Sequence, residues 1–299
     1  MHISFWKHHP ISDQKGDILA QETIDFYNKF KPDFVKITPA GTWIATCYGL
    51  EDYYENDFLG RRFVKNTLIN SVQDFAKISL FSENPSPLTE QLKAAELVCK
   101  EIVEVPVYST IFSPVNQAIQ LCGLENFLRL IQQHPEETTR FLNVLNQNTK
   151  SIIKQFVALG IEGIYYATQS CQKSQLPEQV YEAFGKKIDE DCLEFCADLV
   201  QSIIVHLHGE SVYLNIKENI PFVSIHFEQH PTNNFNSTYP TIKGIPAKII
   251  NEITDKKSIQ SLIYNYKNNA DLFLCGCVLP LDTPDSVIKN WIEAVRQIN

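Results

Sequence analysis

The chain has 299 residues, of which 44% are hydrophobic and 20% charged, and it carries a formal charge of −9. A surface that neutralises phosphates needs basic residues in excess, so this balance excludes a nucleic-acid partner, and no apolar run is long enough to span a bilayer. The length suits one (β/α)8 barrel, which takes about 250 residues before insertions.

The chain begins MHISFWKHHPISD, which lacks the apolar core of a secretory signal and enters a strand at once, so cytoplasmic residence is expected. Short β-rich apolar runs follow at 3–6, 34–38, 105–110, 163–167, 203–208, 222–227, 241–245 and 272–278. Between them lie stretches with helical periodicity, including 124–133, 135–159 and 179–200. Eight alternations of strand and helix predict an α/β fold, a single (β/α)8 TIM barrel occupying 1–299 as one domain. Residues 49–100 are too many for one helical connection. They predict a long excursion over the top of the barrel between strands 2 and 3, followed by a helix. The eight cysteines include no CxxC pair, so they read as reduced thiols.

A barrel of this kind carries its chemistry at the C-terminal ends of the strands. Those ends supply, in order, His8 and His9; Lys36; Tyr108; Tyr165, Tyr166, Thr168 and Gln169; His206 and His208; His226, Glu228 and His230; Lys243; and Cys275 and Cys277. Six of the eight histidines fall there, which favours an active site over scattered surface histidines. Within SIIVHLHGE, His206 and His208 project to the same side, roughly 6.5–7 Å apart along the strand. Two imidazoles can therefore converge on one small ion or one substrate group; a hydrogen-bonded pair at the rim is the other reading. His226 and Glu228 share a face and suit general acid–base work or support of the His-X-His pair, with a rim hydrogen-bond network as the alternative. Of Tyr165 and Tyr166, one faces the substrate and the other the helix layer. Tyr166 joins His226 and Glu228 as a catalytic candidate, and His8, His9, Lys36, Tyr108, Thr168, Gln169 and Lys243 are candidates for substrate binding.

The succession FWKHHP, DFVKITPAG, PVYSTIFSP, GIYYATQ, IVHLHGE and GCVLPLDTP, closed by VIKNWIEAVRQ, resembles the uroporphyrinogen decarboxylase superfamily over nearly the whole chain. That resemblance implies a (β/α)8 barrel and one of two chemistries. One is cofactor-free decarboxylation of a tetrapyrrole; the other is zinc-assisted methyl transfer between a corrinoid protein and a thiol acceptor. The decarboxylases carry an arginine-rich stretch near the N-terminus, whereas WKHHPISDQK has no arginine. The methyltransferase branch binds zinc through His-X-Cys at the fifth strand and a Gly-Cys pair at the eighth. Here His206-Leu207-His208 and Gly276-Cys277 stand in those places, with Cys275 as the neighbouring alternative ligand. The resemblance thus implies a Zn2+ site of His206, His208 and Cys277, a small-molecule substrate, a corrinoid protein as partner and a homodimer. Three readings stand: a metal-dependent methyl or alkyl transferase or lyase, a carboxy-lyase of tetrapyrrole synthesis, and a non-catalytic porphyrin or corrinoid binder.

Overall fold

Strands buried on both faces read as unbroken apolar runs and are joined by crossover helices. The computed structural model, which describes residues 2–233, 237–266 and 272–298, contains such strands. In chain order the strands are β1 (His2–Ser4), β2 (Val35–Lys36), β3 (Glu51–Tyr53), β4 (Phe63–Asn66), β5 (Val107–Phe112), β6 (Gly163–Thr168), β7 (Ile203–Leu207), β8 (Val223–Glu228), β9 (Thr241–Gly244) and β10 (Leu272–Leu274). The helices are α1 (Gly16–Phe30), α2 (Trp43–Thr46), α3 (Ser86–Glu101), α4 (Pro114–Cys122), α5 (Leu124–Gln133), α6 (Pro135–Ala158), α7 (Glu178–Val180), α8 (Lys186–Ala197), α9 (Ala247–Glu252), α10 (Lys256–Tyr266) and α11 (Asp285–Arg296).

Six strands form one curled parallel sheet in the order β2-β5-β6-β7-β8-β9. Every residue of β5, β6 and β7 is buried, as strands covered on both faces require. Strands β1 and β10 form a separate parallel pair. This pair is tied to the sheet at both ends. The Ile245 amide donates to the Leu274 carbonyl at 2.8 Å beyond β9, and the Ser4 hydroxyl donates to the Phe34 carbonyl at 2.8 Å before β2.

Strand alternation sorts the core into two bodies. Tyr165, Ile204 and Ile242 pack with Trp6 and Phe34 in one cluster, while Tyr166, Val205 and Ile225 belong to the other with the residues of α6 and α8. The chain between β2 and β5 contains α2, the antiparallel hairpin β3–β4, a 3-10 turn at Val72–Lys77, and α3. The predicted helix at 179–200 is observed as α7, a π-helical turn at Tyr181–Gly185, and α8. Helix α4 begins where Ser113 caps the Asn116 amide at 3.2 Å with Pro114 in the first turn, so β5 ends firmly at Phe112.

Candidate functional site

The pairing of β7 with β8 sets His206 directly beside His226. Neighbouring parallel strands lie about 4.8 Å apart, so side chains of paired residues on one face must touch. The two Nδ1 atoms are 3.0 Å apart, and the Tyr165 hydroxyl on β6 reaches His226 Nδ1 at 2.9 Å. His208 stands just past β7, where Gly209 turns the chain at φ +90°. Its Nδ1 lies 3.2 Å from Cys277 Sγ. Cys277 is held by its own carbonyl, which accepts from Trp6 Nε1 at 2.7 Å. The result is a cluster of His206, His208 and Cys277 whose ligating atoms all lie within 4.8 Å of one another. It is the one group of three such donors among the described residues. Cys275 instead lies fully buried, bridged to Ile245.

Burial governs the charge state. It lowers the pKa of His206 well below the usual range, helped by the neighbouring His226, His208 and Lys36. Burial likewise lowers His208, and brings His226 and His8 to about 3. All four rings are therefore neutral at pH 7. Burial pushes the Cys277 thiol up to about 11 against the opposing pull of Lys36, and brings Lys36 itself down to about 7. The Glu228 carboxyl is raised by burial against the opposing pull of His208.

Two neutral imidazoles sharing a hydrogen bond must take opposite roles. Neither His226 Nε2 nor His206 Nε2 has a hydrogen bond of good geometry; the His226 ring lies by the Cys275 carbonyl and the His206 ring by the His226 carbonyl. With the His226 proton on Nε2, its Nδ1 accepts from both the Tyr165 hydroxyl and His206 Nδ1–H. In that arrangement His206 Nε2 is a bare lone pair, buried and without a hydrogen bond. An orphaned nitrogen beside a second imidazole and a thiol is what a zinc ion would satisfy, so the residues present fit that metal.

The cluster forms the floor of a void of about 40 Å3 lined also by Trp6, His8, Lys36 and Tyr165. The void leads to an open pocket of about 290 Å3 walled by Arg61, Asn116, Gln120 and Gln169. A larger hollow of about 600 Å3 near Asp13 and Trp43 also touches Arg62 but contains none of the three donors.

Several expected site residues are in place and several are not. His8, Lys36 and Gln169 line the void, and Thr168 supports it by donating to the His206 carbonyl at 3.1 Å. Glu228 lies against Gly276, where a Cβ would come within 2.0 Å of its Oε2. His9 turns away to Glu22 on α1 at 3.5 Å. Tyr108 sits near the opposite end of its strand, paired with Gly163 and donating to the Ser202 hydroxyl at 2.6 Å. Lys243 is exposed, because alternation turns Ile242 and Gly244 inward instead. Tyr166 faces the helix layer, its hydroxyl donating to Asp189 Oδ1 at 2.6 Å, while Tyr165 takes the site-facing place. Trp6 and Asn116 were not among the expected site residues. Trp6 ends the run that begins the chain, a strand-end signal of the kind used for His8; Asn116 lies inside a helix and gives no such signal.

The same shape occurs in solved structures of low sequence identity. A methyltransferase from Methanosarcina mazei superposes with a TM-score of 0.72 at 13% identity, covering 96% of this chain and 87% of that one. A B12-independent methionine synthase from Shewanella sp. W3-18-1 gives 0.54 at 12% identity, with 94% and 88% covered. A putative vitamin-B12 independent methionine synthase from Listeria monocytogenes gives 0.57 at 13% identity, with 99% and 94% covered. A search of curated protein sequences finds no match. The family model described as "Uroporphyrinogen decarboxylase (URO-D)" matches residues 7–244, a span that runs from the first strand end through the His206–His226 pair to β9. By that match the chain belongs to the uroporphyrinogen decarboxylase (URO-D) family.

Proposed function

We propose that this protein is a metal-dependent methyl or alkyl transferase of the URO-D family, with His206, His208 and Cys277 holding a zinc ion. The observation that carries the reading is the convergence of those three donors within 4.8 Å, with His206 Nε2 buried and without a hydrogen bond. Bound zinc would supply Lewis acidity, bringing the pKa of a thiol or water at its open position to near neutrality. The protein's own contribution is orientation and proton handling. His226 accepts from His206 Nδ1–H and fixes its tautomer, as residues behind metal ligands generally do. Tyr165 braces His226 and takes the role first expected of Tyr166. In this reading Glu228, its pKa raised by burial beside His208, takes the proton of a thiol acceptor. In the transfer itself the acceptor sulfur bonds to the alkyl carbon as the donor bond breaks, its electron pair remaining with the donor.

The same reading treats all eight parallel strands as one closed (β/α)8 barrel forming a single domain, with residues between β2 and β5 as the excursion that walls the pocket. The hydrogen bonds from Ile245 to Leu274 and from Ser4 to Phe34 support closure. Among the described residues no helix is long and apolar enough to cross a membrane. A small-molecule substrate, delivered by or transferred to a corrinoid protein, suits the open pocket, and a homodimer in the cytoplasm completes the proposal.

Decarboxylation of a tetrapyrrole is the family's other chemistry. Against it stand the arginine-free WKHHPISDQK and a pocket of about 290 Å3. A tetrapyrrole with eight carboxylates needs a cavity toward the upper end of the ligand-site range, roughly 1,000 Å3. The test is parallel turnover by zinc-loaded protein. Loss of methyl–cobalt absorbance from methylcobalamin with a thiol acceptor supports the proposal, whereas carbon dioxide release from uroporphyrinogen with no thiol alkylation overturns it.

A further inference from the structure

Lys36 is the one lysine in the buried class among the described residues, with 8% of its surface exposed. It ends β2, and its ammonium lies 4.7 Å from the Tyr165 ring centroid and 4.9 Å from that of Trp6. One hydrogen bond, 3.2 Å to Thr38 Oγ1, engages it. Ring faces attract a cation but accept few of its three N–H donors. Among the described residues no carboxylate pairs with it, and the acidic groups that bear on its charge are the thiols of Cys277 and Cys275. A desolvated cation without a counter-ion is costly, and that cost is offset when an anion arrives.

The surroundings reinforce the imbalance. Arg61 at the pocket wall is already engaged by Asp57, with Nη2 to Oδ2 at 2.6 Å. On the reading given above, on which this inference rests, a divalent ion with one thiolate ligand leaves the floor positive and itself favours an anion beside Lys36, whose charge that anion would hold in place. The void of about 40 Å3 is near the roughly 30 Å3 share of one water molecule, so it admits one to a few heavy atoms.

We propose that Lys36 makes the void beside His206 and Cys277 an anion site, and that the substrate group entering it is small and singly negative. Lys36 is the specificity-determining residue that selects this charge. A neutral group of equal size leaves the ammonium uncompensated and is rejected.

Iodoacetate and iodoacetamide test this on the full chain stripped of metal, at pH 6, below the value of about 7 to which burial brings Lys36, so that its ammonium is present. They share one reaction, in which the Cys277 thiolate bonds to the CH2 carbon as iodide leaves, and they differ in charge. The ratio of their rates at Cys277, read by peptide mapping, cancels the thiolate fraction. Lys36→Met is expected to lower the iodoacetate-to-iodoacetamide ratio about tenfold, the low end of electrostatic guidance into a charged cleft. Lys36→Arg should keep the ratio, and Cys99 in the same molecules should show no change. An unchanged ratio at Cys277 in Lys36→Met overturns the proposal.

Should Cys277 resist both reagents, crystals soaked in sodium bromide give the reading. An anomalous peak beside Lys36 that is absent from Lys36→Met supports the anion site, and none there overturns it. Zinc content is measured separately. A failed zinc site therefore leaves the alkylation result standing, and a failed anion preference leaves zinc binding standing.

Discussion

Replacing His226 by leucine removes the acceptor for His206 Nδ1–H while keeping an apolar side chain of similar bulk. In the native protein that contact is 3.0 Å between two rings buried to 3% and 0% exposure. Leaving a buried donor unsatisfied costs about 1–3 kcal/mol. The ring of His206 also loses the partner that fixes its tautomer, and residues in such positions are worth about 10–100-fold in metal affinity. Those factors correspond to about 1.4–2.7 kcal/mol, the same range reached from the lost hydrogen bond. The assay is zinc competition against a chromophoric chelator, run beside His226→Asn, whose Oδ1 keeps an acceptor near the Nδ1 position. Weakened binding in His226→Leu with recovery in His226→Asn is expected. If His226→Leu binds zinc as tightly as the native protein while His208→Ala does not, the assignment of His226 as the orienting partner is wrong.

The two adjacent tyrosines should separate cleanly. Tyr166→Phe removes a buried donor to Asp189 and should lower stability in denaturant unfolding by about 1.5–3 kcal/mol without altering zinc affinity. Tyr165→Phe should do the reverse, weakening zinc by up to about tenfold with a smaller change in stability; equal effects from the two would refute the facing assigned to each. Burial raises Asp189 from 3.8 to about 6 even though Tyr166 and Tyr181 donate to it. The folded state then holds this proton more tightly than the unfolded chain, so the contribution is most favourable below about pH 4 and is lost as pH rises toward 6, by about 3 kcal/mol in all. The stability difference between native protein and Asp189→Asn, followed by thermal unfolding across that window, should change by this amount, and a flat difference would contradict it.

Sequence alone carried the strand count far, because parallel strands covered on both faces announce themselves as apolar runs. Each of the eight predicted runs contains or overlaps an observed strand. Ends were harder to read. The third run was expected to stop at Thr110, whereas pairing with β6 and the Ser113 cap carry β5 on to Phe112. That shift is why Tyr108 lies toward the wrong end of its strand to reach the rim. The hairpin β3–β4 went unseen, since its exposed pattern and polar residues resemble a loop.

In the site, the His-X-His spacing puts His206 and His208 on one side, and their ring centroids lie 5.9 Å apart, because strand parity is local. Parity also decided against Lys243 and Tyr166, but which parity faces inward depends on neighbouring strands that a single run does not reveal. The choice between Cys275 and Cys277 was of another kind: both share a face by spacing, and only the bridge from Ile245 to Cys275 draws one of them into the sheet. The contact between His206 and His226 is a product of register between β7 and β8, which no spacing within either strand encodes.

The central claim is that His206, His208 and Cys277 hold a metal. Elemental analysis of purified protein after removal of loosely bound ions tests it most directly, with His208→Ala and Cys277→Ala alongside. Near-stoichiometric zinc in the native protein, lost from both variants, is the expected result. No metal in native protein under zinc-replete conditions, or retention of the ion by both variants, would contradict it.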